Sequence, residues 1–261
     1  MTTWFEDRPV PQIRAVLCDA DGTLFPSEEP AYEASAIVTN RFLDHLGVDL
    51  AYEPAELQRL TNGRNFRSSA ALLADLHERR LDADDLEHWV AVERDVVTAH
   101  LRTVLRPDCE VRGPLAELAR RLPLAVVTSS AGPRLAACLE VTGLTGLFES
   151  ATLFSAESSL PRPVSKPDPA VYTFACERLG VSPAEAVAVE DSVNGALSAV
   201  AAGCRTIGTV QFVPPEQRAD RIAALREAGA DVVVDSWWEI VRLLNDLVPI
   251  GAAAPVTGAD A

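Results

Sequence analysis

Two aspartates, Asp19 and Asp21, stand two residues apart in Asp19-Ala20-Asp21-Gly22-Thr23-Leu24 and are reached directly from the apolar run Ile13, Ala15, Val16, Leu17 and Cys18. A short apolar run that ends in charge and glycine reads as a buried parallel strand. On an extended backbone, side chains two residues apart point the same way, so both carboxylates can serve one site. They repel unless a cation lies between them. A hard divalent ion such as Mg²⁺, which takes oxygen ligands, answers that need, leaving one carboxylate to attack and the other to exchange protons. Gly22 lets the chain leave the strand sharply, and Thr23 offers a hydroxyl to the same mouth.

Three further groups carry chemistry. Thr128-Ser129-Ser130 closes the apolar run Leu124 to Val127, where a hydroxyl and the following N–H groups can take a phosphoryl oxygen. Lys166 lies in Ser165-Lys166-Pro167-Asp168-Pro169, whose prolines restrict the backbone and reduce the entropy lost in fixing an amine. Glu190-Asp191-Ser192 follows the apolar run Ala186 to Val189 and leads through Gly195 into a small-residue helix. Each group falls at the end of a strand or in a loop on one sheet edge, where open α/β sheets bind ligands.

The elements that must position them alternate. From Pro107 onward, strands are expected at Leu124–Val127, Ala151–Phe154, Ala186–Val189, Cys204–Ile207 and Val232–Val234. Helices are expected at Pro114–Leu122, around Leu135–Thr142, after Asp168-Pro169, at Val193–Ala202 and near Arg218–Glu227. This rhythm predicts an α/β fold: a Rossmann-like, mainly parallel sheet with helices on both faces. Between Phe25 and Arg106 the pattern is helical throughout. Ala34, Val38, Phe42 and Leu46 recur every four positions before Gly47, Asn65 can cap a further helix, and Asp84 or Asp85 opens a long one. The expected organisation is a core of residues 1–24 and 107–249, an inserted all-helical domain at 25–106, and a disordered tail at 250–261, rich in Ala, Gly and Pro.

Composition narrows the partners. A net charge of −15 disfavours nucleic acid and anionic membrane, which would repel the chain, but a metal ion, one lysine and helix N-termini can still bind phosphate. Five scattered cysteines without C-x-x-C spacing predict reduced, packed thiols and a cytoplasmic setting. Met1 to Pro11 carries Glu6 and Asp7 and does not read as a signal peptide.

Taken in order, the four motifs resemble those of the haloacid dehalogenase superfamily, in its capped phosphatase and beta-phosphoglucomutase-like branch. That resemblance implies Asp19 as nucleophile, Asp21 as acid and base, Thr128 and Ser129 with Lys166 around the phosphoryl group, and Mg²⁺ held by Asp19, the Asp21 carbonyl and Asp191, with Glu190 acting through water. The helical insertion would be a cap, and Gly63-Arg64-Asn65-Phe66-Arg67 is similar to the loop such caps press onto substrate. Arg64 or Arg67 would then grip an anionic group; a turn with solvated arginines is the other reading. The expected activity is a Mg²⁺-dependent phosphatase acting on a small phosphorylated metabolite, as a monomer or weak dimer. A sugar phosphomutase is the alternative, weakened because Ala31 and Tyr32 stand where those enzymes place a histidine; a catalytically silent binding member is a third. Asp21 argues against a dehalogenase, and the absence of lysine from 25–106 argues against a phosphonate hydrolase. The chain departs from many relatives at Phe25-Pro26-Ser27, where they carry Asp-Ser.

Overall fold

The computed structural model describes residues 12–61 and 65–247. Arg64, the predicted tail at 250–261 and the N-terminal stretch through residue 11 lie outside the described residues. In chain order the elements are β1 (Ala15–Cys18), α1 (Glu28–His45), α2 (Pro54–Thr61), α3 (Phe66–Leu76), α4 (Ala83–Val104), α5 (Cys109–Ala119), β2 (Leu124–Thr128), α6 (Gly132–Val141) and β3 (Leu153–Ser155). There follow α7 (Ala170–Leu179), β4 (Ala186–Glu190), α8 (Val193–Ala202), β5 (Arg205–Thr209), α9 (Arg218–Glu227), β6 (Val232–Val234) and α10 (Trp237–Leu247).

The six strands form one sheet in the order β3-β2-β1-β4-β5-β6, and every pairing is parallel. Strands of such a sheet are buried on both faces, which explains why β1, β2 and β4 consist of apolar residues without alternation until their last positions. Val16, Cys18, Val126, Val187 and Val189 face α5, α6 and α10; Leu17, Ala125, Val127, Ala186 and Ala188 face α7 and α8. Cys18 is level with Val126 on one side and Val189 on the other, so β1, β2 and β4 end together. Asp19, Thr128 and Glu190 therefore emerge side by side.

The helices α1 to α4 come between β1 and α5 with no strand among their described residues, and they bury a cluster of their own. It contains Phe42, Leu43, Leu57, Leu73 and Ala74, with Trp89 and Phe66 meeting Phe42 edge to face at centroid distances of 6.0 and 6.4 Å. Two helices belong to both clusters: Val97 and Leu101 of α4 and Ala34 of α1 are buried in the core beside the sheet. Asn65 caps α3 as expected, accepting from the Ser68 N–H at 2.9 Å. The long α4 opens instead on Asp82, whose carboxylate accepts from Asp84 N–H at 2.8 Å. Likewise α5 begins a turn before Pro114, because Asp108 caps Glu110 at 2.8 Å, and the proline rides inside the helix. All five cysteines are free, and no described helix is long and apolar enough to cross a membrane.

The sequence reading placed no element at α10. Its Trp237 is fully buried and donates its indole N–H to the Thr23 carbonyl at 2.9 Å, so the end of the chain locks the turn behind the two aspartates. Replacing Trp237 by Ala should cost about 3–5 kcal/mol, and by Phe about 1–2 kcal/mol through the lost hydrogen bond. The midpoints of urea denaturation of the two variants measure both losses.

Candidate active site

The edge of the sheet at which β1, β2 and β4 end gathers most of the residues singled out by sequence. The chain has a single lysine, Lys166, only 6% exposed. Its ammonium carries three protons and uses them all: on Asp19 Oδ1 at 2.5 Å, Glu190 Oε1 at 2.6 Å and the Val127 carbonyl at 2.7 Å. Ser129 fixes the lysine from behind, its hydroxyl accepting from the Lys166 backbone N–H at 3.2 Å. Thr128 acts on the turn itself, accepting from Ser130 N–H at 3.0 Å.

Asp19, Glu190 and Asp191 are buried, and each offers an oxygen within 4.8 Å of the others. Burial raises the Asp19 carboxyl to about 8; Lys166 opposes this, while Glu190 and Asp21 add to it. Asp191 is raised well above the usual range by burial first, and then by Asp19, Glu28 and Glu190. For Lys166 burial works against the charge, but Asp19 and Glu190 outweigh it and its pKa rises. The site thus holds more buried negative charge than its cations balance, and Glu190 Oε2 is buried without a hydrogen-bond partner. An all-oxygen donor set with one unpaired oxygen and a surplus of charge suits a hard divalent cation, so these residues fit Mg²⁺.

Two glycines make this packing possible. Gly22 has φ of +80°, and a Cβ there would lie 2.3 Å from Asp191 Oδ2; a Cβ on Gly195 would lie 1.8 Å from Glu190 Oε2. Thr23 donates to Asp191 Oδ1 at 3.0 Å, and Arg221 donates to the Asp191 carbonyl at 2.7 Å. Asp21 stands apart from the three clustered carboxylates. Its oxygens accept from Ser27 at 2.5 Å and from Ser130 at 2.7 Å, an arrangement that presents the carboxyl to the mouth of the site.

Several of these partners escaped the sequence reading. Tyr172 donates to Glu190 Oε1 at 2.5 Å, and its ring lies 5.1 Å from the Lys166 ammonium, yet in sequence it is one more apolar position of α7. Arg221 carried no signal beyond helix composition, and Ser130 was read only as part of the Thr128-Ser129-Ser130 run, with no role of its own toward Asp21. Of the insertion residues, Asn65 is engaged as the α3 cap, and Arg67 forms a two-point pair with Glu87 on an exposed surface, Nη2 to Oε2 at 2.8 Å.

Comparisons with known proteins identify the family of the chain as a whole. The family model described as haloacid dehalogenase-like hydrolase matches residues 13–203. Protein CbbY of Cereibacter sphaeroides is 30% identical over 258 residues, spanning 94% of this chain and 99% of that protein. A phosphoglycolate phosphatase of Neisseria meningitidis is 31% identical over 201 residues, 76% of this chain and 81% of the relative. The crystal structure of a CbbY mutant from Rhodobacter sphaeroides in complex with xylulose-(1,5)bisphosphate aligns with a TM-score of 0.66 at 27% identity, over 87% of this chain and 96% of that one. A parallel sheet whose first strand delivers Asp19 to Lys166, and a family match that runs from that strand through α8, together lead to one assignment: the chain belongs to the haloacid dehalogenase-like hydrolases.

Proposed function

We propose that this protein is a Mg²⁺-dependent phosphatase that hydrolyses a small phosphate monoester through an aspartyl-phosphate on Asp19. The observation that carries the reading is the fixed contact of Asp19 with Lys166 beside two further buried carboxylates. Lys166 holds one Asp19 oxygen and leaves the other to approach phosphorus. The P–O bond to Asp19 forms as the bond to the leaving alcohol breaks, and Asp21, oriented by Ser27 and Ser130, gives that alcohol its proton. Asp21 then takes a proton from water, which attacks the aspartyl-phosphate, releasing inorganic phosphate and restoring Asp19.

The metal would be held by Asp19, the Asp21 backbone carbonyl and Asp191, with Glu190 behind them, and would supply neutralisation of the charge on the transferring phosphoryl oxygens. The Thr128 hydroxyl, whose oxygen accepts from Ser130 N–H, still has its own proton to donate at the end of β2. The phosphoglycolate in one relative's name and the pentulose bisphosphate bound to another set the size class: a metabolite of a few carbons carrying a phosphate. The helical insertion α1–α4 serves as the cap that covers it and excludes water. Among the described residues of the site, none favours the phosphomutase alternative over hydrolysis.

Phosphate release from a panel of small monoesters tests the reading. With Mg²⁺ the wild type should release phosphate, chelation should abolish release, and Asp19→Asn should reduce it by at least about three orders of magnitude. Full activity in chelator or in Asp19→Asn would overturn the mechanism. Tyr172→Phe, which takes a hydrogen bond from buried Glu190, should lower stability by about 1–3 kcal/mol in denaturant titration.

A further inference from the structure

We propose that Arg221 is a resident counter-cation for Asp191: a positioning residue that balances this carboxylate in the metal-free protein and, by its charge, holds down the affinity for the divalent cation. This deepens the phosphatase reading and rests on its metal site.

The guanidinium comes from α9 and is directed at the backbone of Asp191, not at its carboxylate. Nη1 donates to the Asp191 carbonyl at 2.7 Å and stands 3.6 Å from Oδ2, beyond hydrogen-bond length but within ion-pair range. Thr23 takes the other oxygen, donating to Oδ1 at 3.0 Å. Among the described residues, Oδ2 therefore has a positive charge beside it and no hydrogen bond on it. Its lone pairs stay available to a metal ion, and that ion must bind next to a guanidinium.

Lys166 does not serve Asp191 in the same way, because its three protons go to Asp19, Glu190 and the Val127 carbonyl. The ion pairs of the clustered carboxylates thus divide among the described residues: Lys166 pairs with Asp19 and Glu190, and Arg221 with Asp191. The Asp191 side chain is only 3% exposed, so its charge is costly without a partner, whereas Arg221 at 26% keeps some of its hydration. An arginine cannot shed its proton, so this charge opposes a second cation at the site at any working pH.

The helix that carries the arginine is tied to the same carboxylate by a second route. Arg218, also on α9, donates to the Val213 carbonyl at 2.9 Å and the Gln211 carbonyl at 3.3 Å. Gln211 Oε1 accepts from the Trp237 backbone N–H at 2.9 Å, the Trp237 indole donates to the Thr23 carbonyl, and Thr23 returns to Asp191. Gln211, Val213, Arg218, Arg221 and Trp237 all lie beyond residue 203, where the family match ends, so this arrangement belongs to the chain outside the matched motifs.

Mg²⁺ alone is the probe, and the midpoint of thermal denaturation followed against its concentration at constant ionic strength reads binding without turnover. Arg221→Gln removes the charge and keeps an amide that can donate to the Asp191 carbonyl; it should bind Mg²⁺ about tenfold more tightly than the wild type. The Mg²⁺ concentration that half-saturates phosphate release should fall in step. Arg221→Lys, which keeps the charge, should stay within about threefold of the wild type. Circular dichroism checks folding, and Arg221→Met supplies the same neutral comparison should the glutamine variant not fold. A role confined to orienting Asp191 has the opposite sign, with weaker binding once the arginine is gone. Weaker or unchanged binding in a folded neutral variant, or a lysine variant that binds as tightly as the neutral one, would overturn this inference and leave the metal site standing. No Mg²⁺-dependent shift in the wild type, or the full shift in Asp191→Asn, would overturn the metal site itself, and this inference with it.

Discussion

Everything at the functional edge depends on one ammonium group among carboxylates that cannot reach water. Removing a charge from water costs several kcal/mol per ion. Asp19, Glu190 and Asp191 all meet that penalty at the ends of two adjacent strands. Lys166 offsets it for the first two, and its third proton, on the Val127 carbonyl, ties the charge centre to β2 as well. Three strands and the loop before α7 are thereby tied to a single nitrogen. This also explains the precision of the surroundings: Tyr172, Ser129, Thr23 and Arg221 each remove freedom from one member of the cluster. The negative surplus left uncorrected by protein groups is what an oxygen-ligated cation would neutralise.

The sequence made the charged members of this site visible because polarity ends an apolar run abruptly. Asp19, Thr128 and Glu190 each terminate a strand with no polar residue inside it, and the parallel sheet follows from the same runs. Tyr172 was hidden for the opposite reason: an aromatic on a buried helix face looks the same whether its hydroxyl is satisfied by a glutamate or by water. Trp237 and α10 were missed because their contribution is a contact with Thr23, at the other end of the chain, which no local pattern encodes. Arg67 and Asn65 illustrate the converse. Their types suggested substrate contact, but Asn65 is engaged by the α3 backbone and Arg67 by Glu87. Helix starts went astray where an aspartate one turn earlier captured the first free N–H groups, as at Asp82 and Asp108.

The helical insertion is held by more than the two chain crossings that connect it. Val97 and Leu101 on α4 are buried with the sheet's own core, while Phe42 and Leu73 are buried only with other helices. A long helix shared between two clusters makes the position of α4 a property of core packing as well as of the Glu93–Arg134 pair, which ties it to α6. Ser27, fully buried and bonded to Asp21, lies at the start of α1, so the first crossing is tied to the chemistry too.

That the only lysine of the chain is the one at the centre of the site has a spectroscopic consequence. Incorporation of ¹⁵N-lysine into otherwise unlabelled protein leaves one side-chain nitrogen visible, and it is the atom hydrogen-bonded to Asp19, Glu190 and Val127. Burial slows exchange of its protons with water, so a single resonance reports the electrostatic state of the centre in the unmodified protein, with no assignment to make.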